Sequence, residues 1–310
     1  MIARGPGRAA PYAAILALAA LPLVLGDYGA TTFARMLAFA LAAASLDLLV
    51  GTTGLPSLGH GACVGAGAYA AGWIAVHVTR SGPVALGAAI AAGALIALVA
   101  GSVAVRARGV FFLMLTLALG EIVEQLAHSW RSVTGGSDGL YGIPAAQLAG
   151  IPLAEPRLLA WYVLGGFAAG MAVLGWVTGS PLGAALRGIR DNEARMRALG
   201  YPTYRYKLAG FVIAGGIGGL AGGMLAAQQR LVTPADVGFA TSVPLLVAVI
   251  VGGEATAWGP CAGAAIVVAI RDVLGPSLGG HGALVLGAVF VAVVFAVPGG
   301  LSRIGRRVAR

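Results

Sequence analysis

Long apolar runs, separated by short charged or Gly/Pro-rich breaks, dominate the chain. Ten stretches read as candidate membrane spans: 11–26, 33–53, 62–79, 83–105, 110–127, 158–178, 207–227, 242–256, 258–274 and 282–298. A spanning helix needs about 20 mostly apolar residues. By that measure the first, eighth and ninth are short, and the break at 54–61 suggests a re-entrant segment. The pattern predicts an all-α, polytopic membrane bundle in a single domain, 1–310, with loops at 128–157 and 179–206. No repeat relates its two halves.

Charge placement orients this bundle. With the N-terminus inside and strict alternation, fourteen Lys and Arg residues fall on inner segments, among them Arg106, Arg108, Arg187, Arg190 and Arg205. Six fall on outer segments or outer helix ends: Arg35, Arg80, Arg131, Arg157, Arg230 and Arg271. An excess of Lys and Arg marks the cytoplasmic side, so both termini are expected in the cytoplasm, with 128–157 external and 179–206 internal. Arg4 and Arg8 before the apolar Tyr12–Leu25 run resemble a signal peptide. No clear Ala-x-Ala site follows that run before Asp27, and more apolar segments come at once, which favours an uncleaved first span.

The internal stretch 179–206 carries helix punctuation. Ser180 suits an N-cap and Pro181 the first helical position. Gly200 suits the left-handed position past the end, and Pro202 blocks continuation. Leu182, Leu186, Ile189, Met196 and Leu199 recur at near-helical spacing, while Arg187, Arg190, Asp191, Arg195 and Arg197 take much of the remainder. The prediction is an amphipathic helix beneath the membrane. It either anchors topology or docks a cytoplasmic partner. The caps, and the acids Asp191 and Glu193 among the arginines, favour docking, because a topology anchor requires neither.

Composition narrows the function. Of 310 residues, 59% are hydrophobic and 10% charged, with a mean hydropathy of +0.90, against about 25% charged in soluble domains. The 50 glycines suit close helix packing in lipid. The net charge of +9 lies in Arg groups between apolar runs, not in one aromatic-rich patch, which argues against nucleic acid as a partner. Cys63 and Cys261 read as small buried hydrophobes. Nucleophile-elbow, zinc-protease and Cys-x-x-Cys motifs are lacking, and His60, His77, His128 and His281 have no metal-ligand spacing. The one lysine, Lys207, ends no phosphate loop, so ATP hydrolysis would have to come from partner chains. No cofactor is expected on this chain.

Several blocks resemble the LivM-type branched-chain amino acid permeases of ATP-binding-cassette importers. They are GTTGLPSLGHGACVGAGAYAAG at 51–72, RARGVFFLMLTLALGEI at 106–122 and TGGSDGLYGIP at 134–144. PLGAALRGIRDNEARMRALGYPTYRYKLAGFVIAGGIGGLAGGM at 181–224, SVPLLVAVIVGGEATAWGPCAGA at 242–264 and PGGL at 298–301 complete the series. The resemblance implies an inner-membrane permease subunit working with four kinds of neighbour: a second homologous permease, two cytoplasmic ATPase subunits, an extracytoplasmic substrate-binding protein, and the lipid bilayer. It also implies that the 180–200 helix is a coupling helix, with Arg187, Arg190, Asp191, Glu193, Arg195 and Gly200 carrying the ATPase contact. One departure stands out. Glu193-Ala194-Arg195 precedes Gly200 by one residue more than the Glu-Ala-Ala…Gly loop motif of the wider superfamily.

Candidate path residues are polar groups at membrane depth. Ionisable groups there are costly and point to function. Glu121, Glu124 and His128 share one helix face near the outer end of the fifth span. Their alternative is a solvated helix end. Gly135-Gly136-Ser137-Asp138 could present backbone amides to a carboxylate or be a plain external turn. Glu254, after Gly252-Gly253, marks either a broken helix or an ordinary inner turn. Ser57, from the first resembling block, joins Glu121, Gly135, Gly136, Ser137, Asp138 and Glu254 as a path candidate. Asp47 reads as a helix-packing hydrogen-bond partner, and Gly215, Gly219 and Gly223 as a packing face. Urea or short amides remain alternative solutes. A stand-alone ion-driven carrier is the rival class, although only Asp47 and Glu121 lie deep enough to couple an ion.

Overall fold

The computed structural model describes residues 20–256 and 258–275, with isolated positions at 18 and between 284 and 295. Half of the expected first span, 11–26, and most of the expected last span, 282–298, fall outside the described residues.

Helix α1 (Asp27–Asp47) runs into a π-helical turn, Leu48–Thr53. It is followed by α2 (His60–His77), α3 (Gly82–Ala104) and α4 (Val110–Ser129). Next come α5 (Pro156–Gly179), α6 (Pro181–Ala198) and α7 (Thr203–Gln229). Helix α8 (Phe239–Gly252) and α9 (Gly259–Val268) end the described series, α9 passing into a second π-helical turn, Ala269–Leu274. The only strands among the described residues are β1 (Gln147–Leu148) and β2 (Ile151–Pro152), a two-residue hairpin. The all-α class therefore holds.

Among the described residues, six helical segments are long and apolar enough to cross a membrane: Asp27–Thr53, Gly82–Ala104, Val110–Ser129, Pro156–Gly179, Thr203–Gln229 and Pro234–Gly252. Two expected spans fall short of that measure. Helix α2 has 18 residues, with a histidine at each end. Helix α9 keeps α-geometry for ten residues before its π turn, which holds Arg271 and Asp272.

The start of α2 is fixed by the break before it. After Thr53 the chain turns through left-handed Gly54 (φ +73°) and runs without helix to Gly59. Helix α2 then starts inside the bundle. His60 Nε2 lies 2.7 Å from Ser45 Oγ of α1, and its ring also faces Gly218 in the middle of α7. The break at 54–59 therefore lies within the bundle. Helix α8 begins beside it, with Ser242 Oγ accepting from Gly61 N–H at 2.9 Å.

The tightest seam joins α2, α3 and α7. Glycines make it possible. A Cβ on Gly219 would strike Ala89 O of α3, and one on Gly222 would strike Val64 O of α2. Small residues let helices approach to backbone contact in a lipid setting, where burial drives little association. Gly215, Gly219 and Gly223 thus form a packing face, as their spacing predicts.

Helix α6 lies across one end of the bundle, against the C-terminal ends of α1 and α5 and the start of α7. The segment between α4 and α5 lies at the other end and is pinned there. Leu140 bridges Val232, and Gln147 N–H donates to Arg80 O at 2.7 Å.

Candidate functional site

Helix α6 follows α5 through a tight turn. Ser180 Oγ accepts from Gly183 N–H at 3.4 Å, and a Cβ on Gly183 would crowd Val177 O and Thr178 O. Gly183, Ala185, Leu186 and Ile189 form the buried face. The other end closes as a Schellman motif around Gly200 (φ +86°): Gly200 N–H donates to Arg197 O at 2.9 Å and Tyr201 N–H to Met196 O at 3.1 Å. The expected caps at both ends are present.

The helix is not continuous. Asn192 adopts extended backbone (φ −159°, ψ 96°), and its Oδ1 accepts from Arg195 N–H at 2.9 Å. It is an N-cap in mid-sequence, so α6 is two short helices joined at an angle. Asn strongly favours that role. The signal was present, but it lay inside an amphipathic pattern that reads through it.

Three of the expected coupling residues point back into this chain. Arg187 donates to Thr178 O at 2.7 Å, closing the end of α5. Arg190 donates to Gly51 O in the π turn of α1. Glu193 gathers three cations: Arg197 at 2.6 Å, Lys207 at 3.1 Å and Arg108 at 3.3 Å. It also accepts from Thr203 Oγ1 at 3.2 Å. Burial alone would push this carboxyl up, but Lys207, Arg108 and Arg197 outweigh it and hold Glu193 below its ordinary range. One acid therefore fastens α6 to the α3–α4 connection and to α7. Lys207, the lone lysine and buried, is the residue that sequence reasoning left without a role; a single lysine in an apolar run was its signal.

Asp191 and Arg195 point outward, beside exposed Ala194, Ala198, Leu199 and Tyr201. The surface at this end is thus a mixed apolar and charged patch on a firmly anchored frame.

The path candidates are spread over the height of the bundle and do not form one cluster. Ser57 is fully buried in the 54–59 break, where its Oγ accepts from Gly59 N–H at 3.3 Å. Leu58 N–H donates to Thr116 Oγ1 of α4 at 3.2 Å. Glu121 is exposed on α4, whereas Glu124 packs against Gly238 at the start of α8 and lies 4.0 Å from His128. At the end away from α6, the amides of Gly135, Gly136 and Gly139 donate to Arg131 O, Thr134 Oγ1 and Gly136 O. Those three are already engaged within the loop. Ser137 and Asp138 are exposed beside them. Glu254 is exposed at the α6 end, in the turn after α8. Its neighbour Ala255 donates from N–H to Asp47 Oδ1 at 2.9 Å, so Asp47 is a packing partner, as its position predicts.

These features define a class: a multi-pass helical membrane protein with an anchored surface helix at one end. The chain belongs to the branched-chain amino acid transport system / permease component family, whose model matches residues 29–295. It is similar to the high-affinity branched-chain amino acid transport system permease protein LivM of Escherichia coli K12, with 29% identity over 284 residues, covering 83% of this chain and 65% of the relative. The protein of the same description from Salmonella typhimurium LT2 is 28% identical over the same coverage. The chain thus spans just under two thirds of the length of these relatives. No solved structure matches.

Proposed function

We propose that this chain is a membrane subunit of an ATP-driven importer of branched-chain amino acids in the bacterial inner membrane. The observation that carries the proposal is α6: its inner face is fastened by Glu193, Arg187 and Arg190, while Asp191, Arg195 and Leu199 remain outward. A helix that is rigid toward the membrane and open toward solvent transmits force from a docked motor. Family membership and the printed names of the relatives supply the solute class. In this reading the α6 end faces the cytoplasm, ten spans place both termini there, and two ATPase chains dock on α6. A homologous permease completes the path, and an extracytoplasmic binding protein delivers the solute.

The test is a double charge reversal, Asp191→Arg with Arg195→Glu, in the assembled transporter. The expected result is loss of ATPase co-purification and of ATP-driven leucine uptake, with membrane insertion intact. Undiminished uptake in this variant, and in a deletion of 182–199, refutes the reading.

A further inference from the structure

We propose that a cavity in the half of the bundle away from α6 is a binding site for a zwitterionic amino acid, built within this one chain. The cavity has a volume of about 250 Å³ and is enclosed by α1, α2, α7, α8, α9 and the 231–236 segment. It is much larger than the ~30 Å³ that one water occupies.

The chemistry of its walls is divided. Arg35, Arg271, Asp236 and Asp272 supply two cations and two anions. Phe39, Val64, Leu225 and Val267 supply an apolar wall. Arg35 sits about 12 Å along α1 from Asp27, at 1.5 Å per residue; Arg35, Asp236 and Asp272 are half-buried, and Arg271 is exposed at the edge of the cavity. Arg35 donates to Asp272 Oδ2 at 2.9 Å. Asp236 is oriented by Thr233, whose N–H and Oγ1 donate to its Oδ2 at 2.8 and 2.9 Å.

A bridge that served only to pack α1 on α9 would need one ion pair and no space beside it. Here a second cation, a second anion and an open volume accompany the pair. Four charges summing to zero match a ligand that carries one carboxylate and one ammonium. An arginine takes the carboxylate through its planar fork, an aspartate takes the ammonium, and the apolar wall receives the side chain. That the side chain is branched and aliphatic rests on the importer reading above; the zwitterion chemistry does not.

The test uses the assembled transporter in nanodiscs, with Thr241→Cys at the cavity wall labelled by a maleimide, and Ala240→Cys as a second position if the first variant does not assemble. Labelling of the parent chain, which retains Cys63 and Cys261, sets the background. Leucine is expected to slow labelling, while 4-methylpentanoate and leucinamide, each lacking one charge, do not. Arg35→Gln and Asp236→Asn should each raise the leucine concentration needed about tenfold. No protection by leucine, or equal protection by all three compounds, overturns the site. Leucine uptake measured on the same samples separates the two proposals. Uptake without protection sinks the cavity site alone. Protection without uptake supports the site and sinks the importer reading.

Discussion

Lys207 Nζ in α7 lies 3.1 Å from Glu193 Oε1 in α6, and Lys207 is 3% exposed. The lysine is the base of a joint between membrane helix and surface helix. Exposed ion pairs contribute little. A pair with one member buried behaves differently, because removing its partner strands a charge away from water.

Glu193→Gln should therefore destabilise the protein by about 3 kcal/mol. It keeps the shape of the side chain and the bond from Thr203, but leaves Lys207 uncompensated. Thermal unfolding of the assembled transporter measures the loss. ATP-driven uptake should fall further than stability does, because Arg108 and Arg197 lose the same anchor. A melting temperature unchanged from the parent contradicts this account.

The same joint predicts a pH dependence. Glu193 is held below its ordinary value of 4.5. A depressed carboxyl contributes stability that is fully present above the ordinary value and is lost as pH falls through the lowered one. The stability gap between parent and Glu193→Gln should be constant from neutral pH down to about 5. Below 4.5 it should close. Melting temperatures across that range decide the matter, and a gap that widens in acid has the wrong sign.

The α3–α7 seam gives a paired prediction. A methyl on Gly219 meets Ala89 O and the Gly93 Cα at 3.0 Å, and both neighbours are backbone. A methyl on Gly216 meets Ala94 Cβ at 3.5 Å, an ordinary contact. Gly219→Ala should cost about 2 kcal/mol by overpacking, while Gly216→Ala should be neutral or slightly stabilising. Thermal stability of the two variants tests the contrast.

Asp47 accepts from Ala255 N–H, tying the end of α1 to the turn between α8 and α9. Asp47→Asn keeps an acceptor and should be close to neutral. Asp47→Ala strands a part-buried amide and should cost about 1–3 kcal/mol. Equal effects of the two changes would show that the hydrogen bond is not what Asp47 supplies.

Elements set by local signals were legible in the sequence. The stretches 83–105 and 110–127 became α3 and α4 with ends within two residues of those expected. Ser180 and Gly200 bound α6 as their chemistry requires. Features that depend on distant partners were not legible. Arg108 and Lys207 lie on other elements than Glu193, and the Glu193 joint exists only once the α3–α4 connection, α6 and α7 meet. Arg35 and Arg271 read as outer-end charges, because the anions opposite them come from other elements. The break at 54–61 and the 18-residue length of α2 were legible, but its contacts with Ser45 and Gly218 were not, because those residues lie on other helices.

Helices α2, α3 and α7 touch backbone to backbone through Gly219 and Gly222. Such a seam leaves no slack. Opening it by even the width of a methyl group would break contacts along its length, so it serves as a stator. In the proposed importer, the strokes that admit and release a solute would then come from the helices that surround it, with this three-helix post standing still.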